Sequence, residues 1–153
     1  MYAIILSIFL AAIAPGSGKD LCQALTNADF TKLGISVDKT HTFNIDDPTS
    51  AYCTYKGKSG AMGGVELDIF YPTDAQATER TAMGEGGSNY VDARVPGVDE
   101  SRMDLHAVSG GPPFATLVVR KKDLVYVLSI PSSPRAESQL RALSKIVLQR
   151  LMP

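Results

Sequence analysis

The sequence has no tryptophan, two histidines and two cysteines among its 153 residues. Each scarcity excludes something. A hydrolytic triad needs a nucleophile, a base and an orienting acid brought together. His41 and His106 are the only imidazole bases, Gly-x-Ser-x-Gly is absent, and Ser109 before Gly110-Gly111 reads as a turn serine. No Cys-x-x-Cys occurs, so the cysteines do not form a redox centre of that type. Charge of either sign is in little excess: 15 basic against 16 acidic residues give a net charge of −1. Nucleic-acid binding needs a basic field, so no nucleic-acid partner is expected. Gly57-Lys58-Ser59 lacks the preceding glycine of a phosphate loop, since Tyr52 stands there. Asp46-Asp47 lacks the glycine and glutamate of a calcium loop.

Long hydrophobic runs are also missing. The longest, Ala3 to Ala14, has 12 residues, short of the roughly 20 that span a bilayer. It falls in the length range of a secretory h-region. Small residues follow at Ala14-Pro15-Gly16-Ser17-Gly18, and the first charged side chain is Lys19. The competing reading is a buried first helix, but Pro15, Gly16 and Gly18 break a helix there. Residues 1–18 are therefore expected to be a cleaved signal peptide and residues 19–153 a single domain. The expected location is secreted or periplasmic, with no stable membrane anchor after cleavage. Two cysteines in an exported chain most simply pair with each other. Closing a Cys22–Cys53 loop is worth roughly 3–4 kcal/mol in the chain-entropy model.

What is present is enough apolar material for one core, at 44% of residues. Leu21, Cys22, Leu25, Ala28 and Leu33 fall near helical spacing, with Thr26 and Asp29 as a capping box between two short helices and Gly34 as the stop. Ile35 to Ser50 reads as polar and turn-rich, with Asp46-Asp47-Pro48 as the turn and an optional strand at Thr42 to Ile45. Ala51 to Tyr55 and Val65 to Tyr71 read as strands, the second alternating cleanly. Thr73 and Gln76 have capping-box spacing ahead of a second helix. A short strand at Tyr90 to Val95 is optional, and Pro96-Gly97 is a turn. Arg102 to Val108, Phe114 to Arg120 and Leu124 to Ile130 are strands, the last two a hairpin. Ser133 and Pro134 open a final helix carrying Leu140, Leu143, Val147 and Leu151 on one face. The expected fold is α+β: an antiparallel sheet with helices packed on one face, in the rough order α-β-β-α-β-β-β-α.

Several short motifs occur in a telling order. Leu21-Cys22-Gln23-Ala24-Leu25-Thr26 opens a helix, Tyr52-Cys53-Thr54-Tyr55 carries the second cysteine, Val95-Pro96-Gly97-Val98-Asp99-Glu100 follows mid-chain, and a helix closes at Leu151. In this order the chain resembles a broad group of uncharacterised small bacterial exported proteins and lipoproteins. The resemblance implies a compact α+β fold, a Cys22–Cys53 bridge, a cell-envelope location and no catalytic residues; no cofactor is expected. Val98 departs from the group's usual glycine, and no lipid-attachment cysteine precedes Cys22.

Two functions follow from these features. The first is a non-catalytic extracytoplasmic binding or interaction module, whose partner is a small apolar ligand, a peptide or an envelope protein. The second is a metal-binding protein or enzyme using Asp99, Glu100, Asp104 and His106, the densest group of hard ligands. Asp104 and His106 would share one face of a strand.

Overall fold

A computed structural model describes residues 21–47, 49–58, 63–83, 89–107 and 113–151. The expected signal segment, Ser59, Gly60 and the Ser109–Gly111 turn lie outside these residues. The chain forms a 3-10 turn at Leu21–Ala24, α1 at Asn27–Leu33, β1 at Val37–Asp47, β2 at Ser50–Gly57 and β3 at Val65–Phe70. It continues through α2 at Ala75–Ala82, β4 at Val91–Asp92, β5 at Glu100–Ala107, β6 at Phe114–Lys121, β7 at Leu124–Pro131 and α3 at Ala136–Leu151. The strands make one seven-stranded sheet in the order β1-β2-β3-β7-β6-β5-β4, antiparallel throughout. This is the α+β fold the sequence predicts, with both optional strands present.

Period-two alternation divides the sheet into two faces. Val65, Leu67 and Ile69 of β3, Leu117 and Val119 of β6 and Tyr126 and Leu128 of β7 point to one face and are fully buried or nearly so. Leu140, Leu143 and Val147 of α3 close over them, joined by Leu21, Leu25 and Phe30 from the N-terminal segment. The ring of Phe30 meets that of Tyr55 edge-on, 4.8 Å between centroids. Side-chain bonds fix these helices to one another. Gln139 Nε2 donates to the Leu33 carbonyl, and Arg150 Nη1 donates to the Ala24 carbonyl and to Asp29 Oδ2.

The second helix takes the opposite face. Val118, Val125 and Val127 form a smaller cluster there with Phe70, Ala75, Ala82, Met83 and Tyr90. Its placement differs from the one-faced layer expected of all the helices. The reason is visible in β6 and β7: Val118, Val125 and Val127 lie on the face that α3 does not cover, and an apolar strand face must be buried by something.

The local signals are realised with small displacements. Thr26 and Asp29 make the capping box, and Gly34 takes the left-handed conformation at φ 68°. Helix α2 is capped by Asp74, whose side chain accepts the Ala77 N–H, one residue later than Thr73. The stretch from Ile35 to Ser50 is not mainly turn. It is an edge strand with a tight connection, since Asp47 already pairs with Ser50. Its β-branched and aromatic residues favour an extended chain, and an edge strand needs only one paired side.

Cys22 and Cys53 are bonded to each other, with Cα atoms 5.3 Å apart, inside the range a disulfide requires. Both are buried. The Tyr55 hydroxyl donates to the Cys22 carbonyl at 2.9 Å, so the 3-10 turn is held to β2 twice. Such a bridge points to an oxidising, non-cytoplasmic compartment. Among the described residues no helix is long and apolar enough to cross a membrane.

Candidate ligand-binding groove

The four hard ligands singled out in the sequence are not brought together. Asp99 sits in the turn before β5, where its carboxylate accepts the Lys122 N–H and lies near Arg120. Glu100 is shared between arginines: Oε1 accepts from Arg102 Nε at 3.0 Å and Oε2 from Arg120 Nη2 at 3.4 Å. Asp104 is buried and accepts the His106 backbone N–H at 2.8 Å, whereas His106 is exposed. A register break between Asp104 and Ala107 interrupts the alternation expected to align them. Among the described residues, no group of three or more His, Cys, Asp or Glu side chains is placed to hold a metal ion.

Asp99 and Glu100 belong instead to a chain of alternating charges on the α2 face. Arg120 Nε donates to Glu79 Oε2 at 2.8 Å. Glu79 is 3% exposed, and its Oε1 finds no hydrogen-bond partner among the described residues. The Glu79 carboxylate, by its hydrogen bond, and Glu100 beyond it raise the pKa of the Arg120 guanidinium against the opposing effect of burial. Tyr90 stands nearby. Burial raises its phenol and Asp104 adds to that, while a hydrogen bond with Thr116 partly offsets both. This network ties α2 to β6 and β5 and leaves a polar hollow of about 330 Å³ beside Glu79 and Arg102.

The larger concavity lies at the sheet's β5–β6 end, on the α3 side. It has a volume of about 670 Å³ and is bounded by the Val95-Pro96-Gly97 turn, by Lys121 at the end of β6 and by α3. Arg141, Lys145, Leu148 and Gln149 of α3 face it. Their i, i+4, i+7 and i+8 spacing puts them on one side of the helix. Pockets of about 300–1,000 Å³ are the usual size for small ligands.

Several contacts hold the walls in place. Arg141 Nη1 donates to the Ala93 carbonyl, while its Nε and Nη2 donate to Glu137 Oε1 at 3.0 and 2.8 Å. The turn bearing Val95 is thereby fastened to α3. Asp99 N–H donates to the Arg120 carbonyl at 3.0 Å, and the Asp99 side chain accepts from Lys122, which fixes the same turn to the β6–β7 hairpin. Gly97 has φ 77°, a conformation that favours glycine. Among the described residues, two with side chains share that unfavourable region: Arg94 at φ 49°, just before Val95, and Lys122 at φ 53°, just after Lys121.

Sequence reasoning missed this site. Pro96-Gly97 reads as a turn and Lys121 as part of a hairpin connection, and α3 is read by its apolar face alone. The available signal was the pairing of Lys145 with Leu148 on that side of an otherwise amphipathic helix. No protein-family model, no curated protein and no solved structure matches this chain.

Proposed function

We propose that this protein is a non-catalytic, extracytoplasmic binding module. It is exported by cleavage of residues 1–18 and acts in the periplasm or as a secreted domain. It holds a small, largely apolar ligand in the groove between the Val95-Pro96-Gly97 turn and α3. The groove itself carries this reading: a concavity of about 670 Å³ with Val95, Pro96 and Leu148 among its walls. The flanking backbone supports it. Left-handed conformations at residues with side chains cost on the order of 1–3 kcal/mol each and persist where the surrounding structure imposes them, often around binding sites. Arg94 and Lys122 bracket the groove in that way.

The test is an NMR titration of the protein with 1-dodecanol, a neutral single-chain probe. Saturable shifts at Val95, Gly97 and Leu148, lost in Leu148→Asp with the fold intact, are the expected result. Shifts confined to other surfaces, or none at all, would refute the reading. Intact mass of protein from the envelope fraction tests the export half: a chain retaining residues 1–18 would overturn it.

A further inference from the structure

We infer that the groove selects an amphipathic anion, a free molecule with one apolar chain and one negatively charged carboxylate-class head held between Lys121 and Lys145. This inference rests on the proposed binding role of the groove and names the ligand's chemical class. Three cationic side chains line the groove, Lys121, Arg141 and Lys145, and no aspartate or glutamate does. Their situations differ. Arg141 is spent on Glu137 and the Ala93 carbonyl, so it shapes the site without offering free charge. Lys121 and Lys145 make no ion pair with any described residue. The nearby carboxylates are already committed, Glu137 to Arg141 and Asp99 to Lys122 and Arg120.

Two ammonium groups facing one concavity repel each other unless an anion sits there. A partly apolar wall lowers the local polarity and strengthens that attraction. The lysine stems can lie along the chain of the ligand while the ammonium groups meet its head. A membrane surface is a poorer match than a free molecule. Among the described residues Val91 is the one large hydrophobic side chain that stands exposed, and it is not part of the groove. The structure offers no broad apolar face for insertion into a bilayer among those residues.

The experiment is isothermal titration of the exported protein with dodecanoate, 1-dodecanol and dodecyltrimethylammonium, each below its aggregation concentration. An exposed ion pair contributes roughly twofold to fivefold in affinity. Two lysines therefore predict that dodecanoate binds about tenfold more tightly than dodecanol, and the cation more weakly than either. The preference should shrink in high salt. In the double variant Lys121→Gln/Lys145→Gln, the preference for dodecanoate over dodecanol should fall to about twofold or less, whatever change the shorter side chains bring to both affinities together. Equal binding of dodecanoate and dodecanol by the unaltered protein overturns the charge selection and leaves the groove reading standing. Failure of both probes overturns the groove reading as well. A preference that survives the double variant overturns the assignment to these lysines. Binding to phosphatidylglycerol vesicles without binding of monomeric dodecanoate assigns the surface to a membrane and overturns the inference. A dimer that dodecanoate leaves intact and Leu148→Asp dissociates assigns the groove to a second copy of the chain, which also overturns it.

Discussion

Reducing the Cys22–Cys53 bond should cost this domain much of its stability, and unevenly. The two residues are separated by 31 positions, and in the chain-entropy model a loop of that length corresponds to about 3.7 kcal/mol at 25 °C. Domains of this size carry only about 5–15 kcal/mol in total. The melting temperature of the fully reduced protein should therefore fall by about 10–15 °C, taking about 3–4 °C per kcal/mol at this chain length. The closed loop contains α1 and β1. Once it opens, the edge strand keeps its pairing with β2 but loses the tether that fixes its entry. The assay is far-UV circular dichroism with and without reductant, with a two-dalton mass change confirming complete reduction. Hydrogen exchange then locates the loss. Protection should fall across residues 21–47 and hold in β6, β7 and α3. A melting temperature within about 3 °C of the oxidised protein would refute the energetic argument, and a uniform loss of protection would refute its localisation.

Three further outcomes follow from the side-chain contacts that hold the elements together. Arg120→Met strands Glu79 as a buried carboxylate and should cost about 3–5 kcal/mol. Glu79→Gln should cost less, about 1–2 kcal/mol, because Arg120 keeps Glu100 and Asp99. Urea midpoints in the reverse order would contradict the network as described. Tyr126 and Ser144 are both fully buried and share a 2.6 Å hydroxyl bond, and burial holds the phenol far above its ordinary range despite that bond. Tyr126→Phe should cost about 1–2 kcal/mol and Tyr126→Phe/Ser144→Ala less than the sum of the single changes; additive denaturation energies would show that the hydroxyls are uncoupled. At Asp29 burial pushes the carboxyl upward, but hydrogen bonds from Arg150 and Thr26 outweigh it and hold the pKa below 3.8. A depressed carboxylate stabilises the fold above its unfolded value, and that stability is lost as pH falls through its folded value. Arg150→Gln should therefore destabilise by about 1 kcal/mol near neutrality, with the gap to the unaltered protein closing as pH drops below 3.8; a gap independent of pH would remove Asp29 from the account.

Local chemistry made most of the elements readable in the sequence. Thr26 with Asp29, Gly34, the alternation of Val65 to Phe70 and the helical repeat of Leu140, Leu143 and Val147 each act over a few residues, and each appears as expected. What failed depended on distant partners. Helix α2 carries few apolar residues, so its sequence does not show which face of a sheet it covers; that is decided by Val118, Val125 and Val127 far along the chain. Asp104 and His106 were paired by ideal alternation, and a bulge undid the pairing. The groove was invisible for a similar reason. Its walls come from a turn, a strand end and one side of a helix, joined through the bonds that Arg141 and Asp99 make to main chain elsewhere. None of those bonds has a sequence spacing that announces it.

The middle of the sheet has a consequence for how the protein assembles. β1, β2 and β3 follow one another as a meander, and so do β5, β6 and β7, each closing through nearby pairs. The two meanders meet only where β3 lies against β7, with Phe70 opposite Val125 and Glu66 opposite Ser129. Contacts between residues so distant in the chain form slowly, because a long loop must be closed before they can stabilise anything. Until they do, β3 and β7, both rich in residues that the finished fold buries, are open edges. Such edges pair readily with other chains. The molecule is then at its most aggregation-prone just before its central seam closes, and substitutions that weaken β3 or β7 should lower the yield of folded protein even where they leave the finished fold little changed.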